Sequence, residues 1–479
     1  MIMSAQDARG PEKYEGELMA DDLHYLSLDE VARRLRARKL SSVEATQAML
    51  DRIGTLDSRL KSYATLTPER ALADAKRLDA ETAAGKSRGA LHGVPIGIKD
   101  LCDTQGVPTA AGMAIRRGHV PAKDATVVTR LKEAGAVILG KLQMTEGAYG
   151  VHHPSVDPPI NPFNAAYWTG VSSSGSGVAT AAGLCFASLG SDTGGSIRFP
   201  STMNGLSGLK PTWGRVSRAG VFPLAESLDH VGPMCRSALD AAIVLGIIAG
   251  ADPDDPTAAP QPVPAYVAAT GAGVKGKRVG VPKNLIGADA DSQRALDGAM
   301  AALQGQGAQL VDVMLPELDE AAQRWLALCG VEAALAHEAT FPSRRSEYGA
   351  EFAALLDLGL GLSGLELSRL LLLRARVTGE LERLLASIDL LLLPVMAVAA
   401  PSLAAMKART PQTIASRLRY TAPIDMSGHP SLTLPGGMTA DGVPVGFQIV
   451  GRRFDEAGIL AAGHAFQQAT DWHMRRPLP

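Results

Sequence analysis

Glycine and serine crowd two short stretches of this chain, Gly170-Val-Ser-Ser-Ser-Gly-Ser-Gly177 and Ser191-Asp-Thr-Gly-Gly-Ser-Ile-Arg-Phe-Pro200. The first reads as a turn running into a helix of small residues. The second reads as a glycine turn that presents one more serine, Ser196. Glycine opens backbone conformations closed to other residues. Consecutive amides after Asp192 can therefore point at one spot, as an oxyanion hole requires. Upstream, Gly93-Val-Pro-Ile-Gly-Ile-Lys-Asp100 is an apolar run that ends in a lysine. A lysine closing a buried strand is either paired or neutral, because burial disfavours the ammonium. A lowered pKa is what lysine needs to serve as a base. Serine needs a base to become a nucleophile, and serine–lysine versions of the hydrolase triad exist. Two serines at fixed spacing and one lysine are enough equipment for acyl transfer without histidine. The structural alternatives are an ordinary serine in a glycine turn, a lysine paired at a strand end and an N-cap serine. Asp100 is the adjacent carboxylate, but in a strand it points to the opposite face.

Helix and strand signals alternate along the chain, which implies an α/β layered architecture. Ser27-Leu-Asp-Glu30 and Ser41-Ser-Val-Glu44 fit helix capping signals. Residues 67–84 and 127–133 read as helices. Residues 94–98, 136–139, 186–189 and 278–281 read as strands. Residues 176–184 suit a helix packed closely on a sheet, and 253–264 reads as a surface connection. From 323 to 389 helical patterns dominate, and 365–385 reads as an amphipathic core helix. Residues 1–22 are polar and of mixed charge, which suggests a loose arm.

The 479 residues carry a formal charge of −2, with 46% hydrophobic and 20% charged residues. That balance is ordinary for a globular protein and gives no reason to expect nucleic acid or an anionic membrane as partner. Aromatics make up only 4%, so Leu, Val and Ala must fill the core. Cys102, Cys185, Cys235 and Cys329 are scattered, without zinc-ligand spacing or a disulfide framework. The start shows no signal-peptide pattern. The apolar stretch 390–406 is interrupted by Pro394 and Pro401 and is too short for a membrane span. A cytoplasmic soluble enzyme is the expectation.

Further pieces recur in order: Gly205-Leu-Ser-Gly-Leu-Lys-Pro-Thr212, Asp229-His-Val-Gly-Pro233, Gly428-His-Pro-Ser-Leu-Thr-Leu-Pro435 and Gly442-Val-Pro-Val-Gly-Phe-Gln448. With the lysine and serine motifs they make the chain resemble the amidase signature hydrolases, from about Leu26 to about Gln468. The resemblance implies a central mixed twisted sheet covered by helices on both faces. It implies one domain over residues 23–475, with a helical substrate-covering region at about 323–410. It makes Ser196 the nucleophile and Lys99 the base. Ser172, 24 residues before Ser196, becomes a cis-peptide serine that relays a proton between them. The amides of Thr193, Gly194, Gly195 and Ser196 become the oxyanion donors. Val171 and Ser174 depart from the family pattern, standing where two glycines are commoner. No cofactor and no metal are implied.

The implied activity is hydrolysis of C–N acyl bonds in a small molecule, with esters and carbamates open to the same machinery, by a monomer or homodimer. The alternative is a glutamyl-tRNA amidotransferase A-type subunit working in a complex. Against it, Ser416-Arg-Leu-Arg-Tyr-Thr-Ala-Pro423 is basic where such subunits carry an acidic residue for glutamine. Met144, Gly147, Tyr149 and Gly150 are the expected substrate-pocket residues, together with parts of 325–420. Their Leu and Ala content points to a hydrophobic acyl or aryl group. Gly85-Lys-Ser-Arg-Gly89 spells G-x-S-x-G, but it follows a helix and precedes a strand, the reverse of a nucleophile elbow. His152-His153 lacks the H-E-x-x-H context of a metal site.

Overall fold

The computed structural model describes residues 23–407 and 410–477; the expected arm, residues 1–22, lies outside them. The capping signals act as the chain enters the fold. Ser41 and Glu44 form a complete capping box ahead of helix Ser42–Leu60, with reciprocal hydrogen bonds of 3.0 and 2.8 Å. At helix Leu28–Arg36 only half the box forms. Ser27 Oγ accepts from Glu30 N at 3.1 Å, while the Glu30 carboxylate is taken by Arg33 and Arg34.

Among the described residues, eleven strands form one sheet. They are β1 (Tyr63–Leu66), β2 (Pro95–Lys99), β3 (Val137–Leu142), β4 (Ala187–Asp192), β5 (Ser207–Lys210), β6 (His230–Cys235), β7 (Arg278–Pro282), β8 (Gln309–Val313), β9 (Leu390–Pro394), β10 (Ser431–Met438) and β11 (Pro444–Gly451). Their order is β1-β3-β2-β4-β6-β5-β10-β11-β9-β7-β8. β2 runs parallel to β3 and β4, whereas β4, β6, β5, β10, β11 and β9 are antiparallel neighbours. The architecture is α/β with a mixed sheet, as expected. Strands β2 to β6 are buried at every residue, which explains their continuous rather than alternating apolar pattern.

Strand β4 runs three residues past the expected 186–189, to Asp192. The glycine turn that carries Ser196 therefore springs directly from a sheet terminus, close to the end of β2 and Lys99. Helix Ser174–Ala181 packs against β2, β3 and β4. Only small residues permit that approach: a Cβ on Gly175 would lie 2.4 Å from Ser62 O and 2.5 Å from Gln143 N.

The helical stretch resolves into Asp319–Ala336, Ala350–Leu360 and Gly364–Ser387. The first two meet through glycines, since a Cβ on Gly359 would fall 2.0 Å from Gly330 O. The third buries Leu370, Leu373, Val377, Leu381 and Leu385, spaced three and four residues apart as an amphipathic helix requires. No helix among the described residues is long and apolar enough to cross a membrane.

Candidate active site

Lys99 leaves the end of β2 wholly buried. Its Nζ lies 2.7 Å from Ser172 Oγ, 2.8 Å from Ser173 Oγ and 2.9 Å from Ser191 Oγ. These partners are neutral oxygens, and among the described residues no carboxylate pairs with the amine. Burial pushes the Lys99 pKa down to about 7, against a weaker upward pull from Cys102, Asp192 and Asp229. A neutral amine has two donors and one lone pair. Three serine contacts then require one serine to donate its proton to nitrogen. Ser173 spends its own proton on Ser191 O at 3.2 Å, which leaves Ser172 and Ser191 for that role.

The peptide bond between Val171 and Ser172 is cis. Neither Ser172 nor Ser173 caps the following helix through its side chain. Ser174 is held by His152 Nε2 at 2.9 Å. Ser173 N donates to Ser196 O at 3.3 Å, which ties the two serine-bearing loops together. Ser196 is half-buried, and its hydroxyl makes no hydrogen bond among the described residues. The structure thus joins Lys99 to Ser172 directly and brings Ser196 alongside through backbone, without a Ser172–Ser196 hydroxyl contact.

The turn itself is pinned by its carbonyls. Asp192 O accepts from His230 Nδ1 at 3.1 Å, Thr193 O from Trp325 Nε1 at 2.8 Å and Gly194 O from Thr421 Oγ1 at 2.6 Å. Gly195 O accepts from Phe199 N at 2.7 Å. In a trans peptide the N–H points opposite to its C=O. Fixing these carbonyls therefore directs the N–H groups of Thr193, Gly194 and Ser196 the other way, where they have no partner among the described residues. Gly195 differs from expectation. Its N–H donates to Asp192 Oδ1 at 2.5 Å, so the set of free donors narrows to Thr193, Gly194 and Ser196. Gly195 is nonetheless required as glycine: its φ is +135°, and a Cβ would lie 2.4 Å from the Phe199 ring.

Asp192 anchors the turn from below. Besides Gly195, its carboxylate accepts from Ile197 N at 3.0 Å, from Arg198 N at 3.2 Å, and from Arg198 Nε and Nη2, each at 3.0 Å. Burial opposes this charge, but Arg198 outweighs it and holds the carboxyl well below its usual range. Arg198 also meets Asp425 and Gln448 Oε1, the latter at 3.3 Å. Gln448 in turn donates to Pro394 O and Tyr420 O at 3.0 and 2.8 Å. The turn that carries Ser196 is thereby fastened to the far half of the sheet.

Ser196, Thr193 and Gly194 open into a narrow cleft. Its walls include Tyr149, Gly150, Trp168, Val171, Phe199, Leu224, Trp325, Met406, Ile414, Arg417 and Leu418. Tyr149 and Gly150, two of the expected pocket residues, line this cleft. Met144 and Gly147 do not line this cleft. Met144 is wholly buried with its carbonyl against Gly112, and Gly147 backs onto Phe352, whose ring a Cβ would meet at 2.4 Å. The G-x-S-x-G sequence is an exposed turn, with Ser87 Oγ accepting from Gly89 N at 3.4 Å.

A family model described as Amidase matches residues 44–460. The chain is 50% identical over 460 residues to AmiD of Mycobacterium tuberculosis, a protein named as an amidase, covering 95% of this chain and 97% of that one. It is 39% identical over 480 residues to the A-type subunit of glutamyl-tRNA(Gln) amidotransferase from Geobacter sp. strain M21, covering 94% and 98% of the two chains. Among solved structures it is similar to the native peptide amidase of Stenotrophomonas maltophilia, with a TM-score of 0.80, 31% identity, and coverage of 94% and 98%. The chain belongs to the amidase signature family of hydrolases.

Sequence reasoning passed over several residues that shape this site. Asp192 and Arg198 stand inside the second motif, and two opposite charges in a stretch otherwise fit for burial were the available signal. Ser173 and Ser191 were likewise in view. Trp325 falls at the edge of the 325–420 stretch expected to line the pocket, whereas Thr421 and Asp425 had no signal, because their proximity to the turn exists only in three dimensions.

Proposed function

We propose that this protein hydrolyses C–N acyl bonds through an acyl-enzyme on Ser196. Neutral Lys99 takes the proton of Ser172 as Ser172 takes that of Ser196. Ser196 Oγ attacks the carbonyl carbon, and the oxyanion is held by the amides of Thr193, Gly194 and Ser196. The proton returns along the same path to the leaving nitrogen. Water then repeats the sequence and releases the acid. Catalytic hydrogen bonds of unliganded sites are often long and tighten in the complex, so the open Ser172–Ser196 contact is compatible with the relay.

The observation that carries the reading is the 2.7 Å contact from Lys99 Nζ to Ser172 Oγ at a buried amine that, among the described residues, pairs with no carboxylate. The reading includes a single domain over 23–475, with 323–410 covering the cleft; Trp325 and Met406 in its wall support that assignment. It also includes a cytoplasmic monomer or homodimer acting without cofactor on a small amide, anilide, carbamate or ester.

The second reading, an amidotransferase A-type subunit, draws support from the 39% identity to the Geobacter protein. An amino acid such as glutamine presents an α-ammonium, which calls for a carboxylate partner. Among the described residues lining the cleft there is no Asp or Glu, and this favours the hydrolase.

The test is an activity panel on p-nitroanilides, aryl esters, primary amides and aryl carbamates. Ser196→Ala should lose several orders of magnitude in kcat while melting like the wild type, and EDTA should leave the wild type unaffected. A Ser196→Ala enzyme near wild-type rate, or EDTA inactivation reversed by zinc, would refute the mechanism.

A further inference from the structure

We propose that Trp325 is both a positioning residue for the turn bearing Ser196 and the residue that sets the size of the acyl group, an apolar, uncharged group of aryl dimensions. The inference rests on the assignment of Ser196 as nucleophile and deepens it. Trp325 sits in helix Asp319–Ala336, nearly buried. That helix is locked to Ala350–Leu360 by the Gly330–Gly359 approach, so the indole is presented by a rigid element.

Three observations meet on this one ring. Its Nε1–H donates to Thr193 O at 2.8 Å. A Cβ on Gly194 would lie 2.6 Å from the ring, so indole and turn are in van der Waals contact. The same ring forms part of the cleft wall beside Ser196.

The hydrogen bond acts on the oxyanion site. Thr193 O and Gly194 N belong to one peptide plane, and holding the oxygen aims the N–H. Gly194 offers little resistance to rotation of that plane, so the clamp comes from outside the turn. Thr421, bonded to Gly194 O at 2.6 Å, holds the next plane in the same manner. It does not line the cleft. Thr421 therefore separates positioning from size selection.

The wall explains the acyl class. Tyr149, Trp168, Phe199 and Trp325 place four aromatic rings around the nucleophile, and no described carboxylate lines the cleft. The charged side chain in the described wall is Arg417, whose Nη2 donates to Ala405 O at 3.0 Å; the four rings favour a flat apolar group over a charged one that would lose its water.

The experiment measures kcat and KM for p-nitroanilides of acetic, benzoic, 4-phenylbenzoic and succinic acids. The wild type should prefer benzoyl over acetyl and succinyl. Trp325→Phe keeps a ring but loses the N–H. It should lower kcat by about tenfold for every acyl group, between the cost of one hydrogen bond and that of a whole oxyanion donor, with KM within about twofold. Thr421→Val loosens a plane whose N–H Asp192 also holds, and should show a smaller but equally uniform fall. Trp325→Ala should lower kcat and also shift preference from benzoyl to 4-phenylbenzoyl. Thermal melts accompany each variant, and Trp325→Leu replaces the alanine variant should that one not fold.

A wild-type kcat in Trp325→Phe would overturn the positioning role. Unchanged acyl preference in Trp325→Ala or Trp325→Leu would overturn the size role, and a wild type that prefers succinyl would overturn the acyl class. An inactive Ser196→Ala beside any of these leaves the nucleophile assignment standing. An active Ser196→Ala removes that assignment whatever Trp325 does.

Discussion

Asp192 Oδ1 accepts the N–H of Gly195 at 2.5 Å, three residues further along the turn that carries Ser196. One carboxylate thus sets the curvature of the turn and pairs with buried Arg198. The Asp192→Asn variant can still accept hydrogen bonds but leaves buried Arg198 without its ionised partner. Breaking a buried pair costs about 3–5 kcal/mol, so the denaturation midpoint should fall clearly. The rate should fall with it, because the free amides are aimed by the same turn. A variant with wild-type midpoint and rate would show that the turn holds itself.

Lys99 gives the pH dependence. Burial lowers its pKa to about 7, and the proposed base is the neutral amine. Activity should therefore rise through pH 7 and level off above it. Lys99→Arg should be nearly as damaging as Lys99→Ala, since guanidinium stays protonated at any working pH. Lys99→Ala should retain slow hydrolysis of activated esters, whose leaving groups need no proton, while losing amides. Wild-type amide turnover in Lys99→Arg would reduce the lysine to a structural charge.

Glu146 predicts a stability effect in the same pH range. It is buried, and both carboxylate oxygens lie 3.0 Å from Gly349 N, the entry to helix Ala350–Leu360. Burial raises its pKa from 4.5 to about 7, with Gly349 offsetting only part. A raised folded pKa means that the folded state keeps a proton the unfolded chain releases. Stability therefore falls as pH rises from 4.5 to about 7, and the penalty is complete above that. Glu146→Gln stays neutral and should be more stable than wild type at pH 8, by on the order of 2 kcal/mol, with the gap closing near pH 4. Chemical denaturation at both pH values measures it, and a less stable variant at pH 8 would reverse the sign. The variant should keep the rise of activity through pH 7, which separates Glu146 from Lys99.

The sequence was most readable where local chemistry decides structure. Ser41 with Glu44, the leucine spacing of Gly364–Ser387 and the glycine turns at 170 and 194 each need only their neighbours. Lys99 stands out because an ionisable group closing an apolar run is costly to bury, and Ser172 because its spacing from Ser196 matches the family pattern. The sequence does not say which way a peptide plane faces; at Gly195 the Asp192 carboxylate takes the N–H, a contact visible only in space. The cleft wall was least readable. Leu224 lies outside every stretch expected to line the pocket, and within 325–420 nothing local marks which apolar residues face the cleft rather than the core. Gly147 failed for the converse reason: it is near the site in sequence but turned towards Phe352.

Asp425 offers the closing test of the buried charge network. It meets Arg198 beside Asp192, and its Oδ1 lies 3.5 Å from His230 Nδ1. Burial pushes its pKa well above the usual range; Arg198 pulls it down, and the neighbouring Asp192 adds to the rise. Asp192, with more hydrogen bonds from amides and guanidinium, is the one that ionises. Asp425 is then held as a neutral acid. Asp425→Asn replaces one neutral group by another of the same shape, so midpoint and kcat should stay near wild type. Asp425→Ala removes the group that touches Arg198 and leaves a cavity, which should cost a few kcal/mol. If Asp425 were a charged partner of Arg198, the asparagine variant would lose about as much as Asp192→Asn. Equal losses in those two asparagine variants would therefore assign both carboxylates as ionised; a loss confined to Asp192→Asn would assign the charge to Asp192 alone.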